Sequence, residues 1–270
     1  MDAVKALVSR FQKLHSKLGR RLESFIRNPD DEKNVHDIRT SIRRLDSMFA
    51  LLDKKSRKAN MKKIVQYREL FKSNSRVRDY DIIALRLAAL SPNSGRLAAD
   101  LKRRRKSESD SMLAKAKALR NVGSITSKGS NAKELEKRAA KVVQKLCKKL
   151  GENLSIALED SSKIEELHSL RKDFKRLRYI LESLDSRSAR KFSRQASAAL
   201  GLKLDVKLLE QIQDMLGELH DSDITLEYLK ASKSVVAISL YGTESKVRGS
   251  LYANFRKRMK SAAAGYGGSA

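Results

Sequence analysis

Apolar residues recur at intervals of three and four along most of this 270-residue chain, the spacing of one buried helix face. Val4, Leu7, Val8, Phe11, Leu14, Leu18, Leu22 and Phe25 predict a long helix over residues 1–27, stopped by Asn28-Pro29-Asp30. A second helix, about 32–54, carries Val35, Ile38, Ile42, Leu45, Phe49 and Leu52 on one side. A third, about 57–73, places Ile64, Tyr67, Leu70 and Phe71 inward and Lys62, Lys63, Arg68 and Lys72 outward. A new helix is expected to begin within Val77-Arg78-Asp79-Tyr80-Asp81-Ile82-Ile83 and to run to Leu90, before Ser91-Pro92. A fifth spans about 94–121. The stretch 121–132 has linker composition. The plan then restarts, with helices predicted at about 132–158 and 162–186, around Lys191 and Arg194, from Leu208 to an end at Gly217, and over 243–263. Residues 232–241 fit a helix or a short extended piece, and 265–270 read as a loose tail.

The second helix carries more than a core face. At about 100° per residue, His36, Arg39 and Arg43 form one stripe opposite the apolar positions. The same arrangement returns 132 positions later, where His168, Arg171 and Lys175 oppose Leu167, Leu170, Phe174, Leu177, Leu181 and Leu184. A solvated basic face explains one such stripe, but gives no reason for repeating its spacing. A row of cations about 10 Å long suits several negative charges set in a line. Val77-Arg78-Asp79-Tyr80-Asp81-Ile82 is repeated as Leu219-His220-Asp221-Ser222-Asp223-Ile224. The chain therefore reads as an internal duplication: residues 1–122 as the first helical-bundle half, 123–132 as linker, 133–264 as the second half and 265–270 as tail. The fold class is all-α, with two pseudo-symmetric antiparallel four-helix bundles around a basic central groove or channel.

Composition narrows the partner. Lys and Arg number 59 against 32 Asp and Glu, a formal net charge of +27, which favours polyanions. Hydrophobic residues at 40% exclude a disordered basic tail, and two prolines permit long helices. The single cysteine, Cys147, excludes an internal disulfide and a cysteine metal cluster. No stretch approaches the ~18 apolar residues of a membrane span, and no signal-peptide core is visible. A soluble, cytoplasmic protein is expected.

Two motifs invite catalytic readings. Asp79/Asp81 and Asp221/Asp223 stand two apart, a spacing that does not share a helix face. They are read as N-caps and first-turn carboxylates, with the pinning of a stripe arginine as the alternative. His15, His36-Asp37 and a later aspartate are similar in spread to the metal-dependent HD phosphohydrolases. The second copy argues against metal, since Ser169 stands where the first has Asp37, and arginines crowd a cation site.

Four ordered motifs do match a family. VHDIRTSIRRL followed by VRDYDII resembles the first half of the CHAD domain, a histidine-centred α-helical domain of prokaryotic proteins. HSLRKDFKRLRYILESL and QIQDMLGELHDSDITLEYL are similar to its second half, and more closely so. The resemblance covers most of the chain. It implies two four-helix bundles around a basic channel that binds inorganic polyphosphate, without catalysis, metal or cofactor. The binding residues it implies are His36, Arg39, Arg43 and Arg44, with His168, Arg171, Lys175, Arg176 and Arg178. Some members carry a triphosphatase barrel; no Glu-x-Glu-x-Lys signature occurs here, and no residues are expected to remain for one. Ser75 replaces a usual glycine and Asp46 a common arginine, which predicts a first half poorer in charge. Aromatic residues make up only 5% of the chain, which suits a polymer without bases better than single-stranded nucleic acid, usually gripped by stacking. General nucleic-acid binding is the alternative. His36 and His168 either donate to phosphate or serve packing. Association with polyphosphate granules follows from the polyphosphate reading, and no membrane partner is expected.

Overall fold

The computed structural model describes residues 3–91, 95–120, 123, 131–232 and 234–267. Among these the chain is all-α, without strands. The helices are α1 (Ala3–Arg27), α2 (Glu32–Phe49), α3 (Lys54–Leu90), α4 (Gly95–Ala118), α5 (Ala132–Glu159), α6 (Ile164–Ser183), α7 (Ser186–Leu200), α8 (Val206–Ser232) and α9 (Val235–Gly267). No helix among the described residues is long and apolar enough to cross a membrane. Most of the linker expected at 123–132 lies outside the described residues.

The chain divides into two compact units, Met1–Arg138 and Ala139–Ala270. In the first, α1 packs on α2, α2 on α3, α3 on α4, and α4 returns to α1, so each helix buries its apolar stripe against two neighbours. The predicted α2 face is fully inside, from Val35 and Ile38 through Ile42 and Leu45 to Phe49. Burying each such side chain stabilises by about 1.5–3 kcal/mol. In the second unit α6 packs on α7 and α8, and α8 on α9. Leu167, Leu170, Phe174 and Leu177 are buried there with Phe192, Ile212 and Phe255, while Leu181 is half-buried. Tyr252 of α9 donates to the Ala157 carbonyl of α5 at 3.0 Å.

Several boundaries differ from expectation, for identifiable reasons. The second helix stops at Phe49 rather than 54, because Asp53 caps the next one, accepting from the Ser56 amide at 2.8 Å. That next helix does not break near residue 75. Its polar run Ser73-Asn74-Ser75 looks like a loop in sequence, but it is bonded into the bundle. Asn74 donates to the Val35 carbonyl at 2.7 Å, Lys115 donates to Ser73 Oγ at 2.5 Å, and Ser75 donates to the Phe71 carbonyl at 2.9 Å. Asp79 and Asp81 therefore lie inside α3, and Asp221 and Asp223 inside α8; the N-cap reading is corrected. Similarly α8 passes through Gly217, where a helical glycine costs about 1 kcal/mol but does not stop the helix. Gly201 does terminate α7, with φ 59° in the left-handed region. The ambiguous 232–241 segment is helical from Val235, its first turn capped by Ser234 Oγ, which accepts from the Ala237 amide at 3.1 Å. The expected tail begins as helix, since α9 continues to Gly267.

Candidate functional site

In the first unit the stripe runs along α2 beside α3. Arg39 and Arg43 project from successive turns toward one aromatic ring: their guanidinium carbons stand 4.7 and 5.1 Å from the Phe71 centroid. Cations at such distances are attracted to the ring's negative face, by about 0.5–1 kcal/mol at exposed sites. Arg39 also donates to Ser75 Oγ, one turn further along α3. Two planar forks are thus oriented by a ring and a hydroxyl, both neutral. His36 is exposed, with Nε2 3.5 Å from Thr40 Oγ1, and Arg44 is exposed one position past Arg43. Phe71 was expected to be a core residue. It is half-buried instead, because the α2–α3 crossing aims position 71 at the stripe.

In the second unit the arrangement is different. Arg171 is buried, 7% exposed, and His168, Lys175 and Arg176 are half-buried along the same stretch of α6. The His168 ring lies 4.5 Å from that of His220 on α8, tilted by 34°. Gln213 and Gly217 occupy the places of Phe71 and Ser75 in the repeated motif, so this face has neither shelf nor hydroxyl. Arg178 is bound up with carboxylates: Glu182 one turn on and Glu210 of α8, each at 3.4 Å.

The carboxylates earlier considered for metal chemistry have structural partners. Asp37 forms an ion pair with Arg21 of α1 at 3.2 Å, and Arg21 also donates to the Asp37 carbonyl and to Ser41 Oγ. His15 meets the Tyr67 hydroxyl at 2.8 Å, away from Asp37's clamp. Burial, then nearby Lys63, pushes the His15 imidazole down from its ordinary value, and burial pushes the Tyr67 phenol up to about 12. Asp81 accepts from Arg105 Nε at 2.5 Å and Asp223 from Arg248 Nε at 2.9 Å. Burial raises both carboxyl pKa values, and the paired arginine counters in each case. The pinning alternative was right in kind, but the arginines pinned lie on α4 and α9, not on the stripes. No group of three or more His, Cys, Asp or Glu side chains is placed to hold a metal among the described residues.

The basic run Lys102–Lys106 is largely answered within the bundle. Arg103 and Arg104 reach Asp100 at 2.6 and 2.7 Å, Arg105 is held by Asp81, and Lys106 meets Asp110 at 3.1 Å. A charge run on an exposed helix face is thus a poorer guide to an anion site than a repeated stripe. Ser75 and Phe71 could have been found from sequence only by asking which α3 positions face the stripe, a question periodicity along α3 does not answer.

Comparison with known proteins adds three findings. The CHAD domain model matches residues 9–230. A solved structure, PptA from Streptomyces chartreusis, is similar at 13% identity over 98% of each chain, with a TM-score of 0.48. Curated proteins give no match.

Proposed function

Because the chain belongs to the CHAD-domain family, we propose that it binds inorganic polyphosphate, without turning it over, through the cationic faces of α2 and α6. The two units are then repeats of one helical bundle, each presenting a histidine-headed stripe. The observation that carries this reading is the bracing of Arg39 and Arg43 on Phe71. Arginine forks match phosphate oxygens with paired, charge-assisted hydrogen bonds. A ring holds them in place without lowering their charge, so less side-chain freedom is lost when the anion arrives. The stripe positions Arg44, Lys175 and Arg176 add charge along the line, and Arg171 adds it at depth. His36 and His168 head the two rows.

The same shelf argues against single-stranded nucleic acid as the main ligand. A base would need an open ring to stack on, and the face of Phe71 is already taken by guanidinium groups. Asp37 is a clamp to Arg21, which supports binding without hydrolysis. Recruitment to polyphosphate deposits would be the consequence in the cell.

Competition at one fixed salt concentration tests the proposal, using long-chain polyphosphate, RNA and duplex DNA matched in phosphate. Polyphosphate should displace either nucleic acid, and its affinity should fall steeply with salt as counterions are released. RNA binding as tightly as polyphosphate would refute it. Phosphate release above buffer in the presence of Mg²⁺ or Mn²⁺ would refute the non-catalytic part alone.

A further inference from the structure

Between α3 and α4, at the N-terminal end of α2, lies an open cavity of about 310 Å³. Ala84, Ala88 and Ala98 line its walls, and Asp81 and Glu32 supply carboxylates. Asp81 is 4% exposed, and its two oxygens are not equivalent. Oδ1 accepts from Arg105 Nε at 2.5 Å. Oδ2 is buried and has no hydrogen-bond partner among the described residues. Arg105 spends its other nitrogens on Asp30, on the carboxylate and the carbonyl, each at 3.4 Å.

A buried acceptor without a donor costs about 1–3 kcal/mol, and more when charged, so this oxygen favours a ligand that brings an N–H. Two carboxylates disfavour an anion, and a purely apolar guest would leave Oδ2 as it is. Three alanines offer a shallow surface for a short methylene chain. The corresponding place in the second unit lacks this feature: Asp223 pairs with Arg248, and there the buried atom without a partner is a donor, Arg248 Nη2. We infer that the α3–α4 cavity binds a primary alkylammonium ion, its nitrogen donating to Asp81 Oδ2 and its methylene stem lying on Ala84, Ala88 and Ala98. A diamine would leave its second nitrogen in solvent. The inference is independent of polyphosphate binding, since none of these residues belongs to the stripes.

Calorimetric titration of the full chain at constant ionic strength tests it, with putrescine, n-butylammonium, 1-butanol and butyrate as probes. Both amines should saturate one site, with the alcohol and the carboxylate at least about tenfold weaker, a difference of 1.4 kcal/mol. Ala88→Leu fills the wall without touching the Asp81–Arg105 pair, and should remove amine binding at unchanged melting temperature. Asp81→Asn should remove it too, and Asp223→Asn should not. If Asp81→Asn fails to fold, the Ala88→Leu result decides. Amine heats that do not saturate, butyrate binding equal to butylammonium, or full binding in Ala88→Leu would overturn the inference.

Discussion

The stripes of α2 and α6 share their spacing but not their surroundings, and the clamps around them differ in a consistent way. In the first unit Asp46 of α2 holds Arg68 of α3, with 2.6 Å to Nη2. At the same places in the second unit stand Arg178 of α6 and Glu210 of α8, 3.4 Å apart: the pair is kept and its charges are exchanged. Arg21 and Asp37 join α1 to α2 as an ion pair, whereas Asn153 and Ser169 join α5 to α6 as a neutral hydrogen bond at 3.1 Å. His15 and Tyr67 are hydrogen-bonded in the first unit. Their positional counterparts are Cys147 and Leu209, both buried. Only the aspartate–arginine pair between α3 and α4, and between α8 and α9, keeps its chemistry. The packing requires complementary partners at these crossings, and does not specify which helix carries which charge. The exchange also bears on the stripes: Arg178 is engaged by two glutamates, so an arginine at that place does not by itself enrich the second face over the first.

The sharpest break between the units should come from the stripes. Arg39→Ala with Arg43→Ala is expected to weaken polyphosphate binding roughly a hundredfold, since charge-assisted hydrogen bonds contribute about 1.5–3 kcal/mol each. Melting should hardly change, because the apolar face of α2 is untouched. Arg171→Ala should weaken binding and also lower the melting temperature, since it removes a buried side chain. Binding assays paired with thermal melts would show whether affinity and stability separate in one unit and move together in the other.

Next in size is pH dependence confined to the first unit. The folded chain keeps the Tyr67 proton up to about 12, while the unfolded chain releases it near 10. Stability from this group is therefore complete below pH 10 and is lost as pH rises toward 12, by roughly 2–3 kcal/mol at 1.36 kcal/mol per unit. His15 acts at the other end. Its pKa is lowered in the folded state, so its contribution is present above the ordinary value of 6.5 and is lost as pH falls through the lowered one. Denaturant midpoints across pH should show both limbs; Tyr67→Phe should flatten the alkaline limb and His15→Gln the acidic one. Unchanged limbs would assign the pH dependence elsewhere.

A smaller effect tests the exchanged clamp. Arg178→Asp would gather three carboxylates and cost about 1 kcal/mol, the upper range for exposed pairs. Adding Glu210→Arg should recover most of that, because it recreates the Asp46–Arg68 arrangement. Failure of the double variant to recover in a denaturant titration would mean that the two crossings are not interchangeable. The smallest effect is expected on α4. Arg103→Ala with Arg104→Ala removes two cations that share Asp100, and polyphosphate affinity should change by less than about threefold if site-specific contacts outweigh overall charge. A loss as large as that of the α2 double variant would make binding a matter of net charge alone.

Much of this molecule is decided by local pattern. Three- and four-residue apolar spacing fixes the helical state and the buried face of α1, α2, α5 and α6, because the period of the helix is a property of the backbone. The opposite face of α2 and α6 follows from the same angle, which is why His36, Arg39, Arg43, His168, Arg171 and Lys175 were legible as two rows. What periodicity does not carry is the identity of the neighbour across a crossing. Ser73-Asn74-Ser75 reads as a break until the Val35 carbonyl and Lys115 bond to it. Phe71 reads as core until α2 presents two guanidinium groups to it. Asp81 and Asp223 read as caps until Arg105 and Arg248 arrive from helices 24 and 25 positions away. Each of these depends on how two helices cross, and that is set by the combined packing of all the side chains between them. The sequence of either helix alone therefore determines its faces, and the tertiary structure determines what each polar residue on those faces is for.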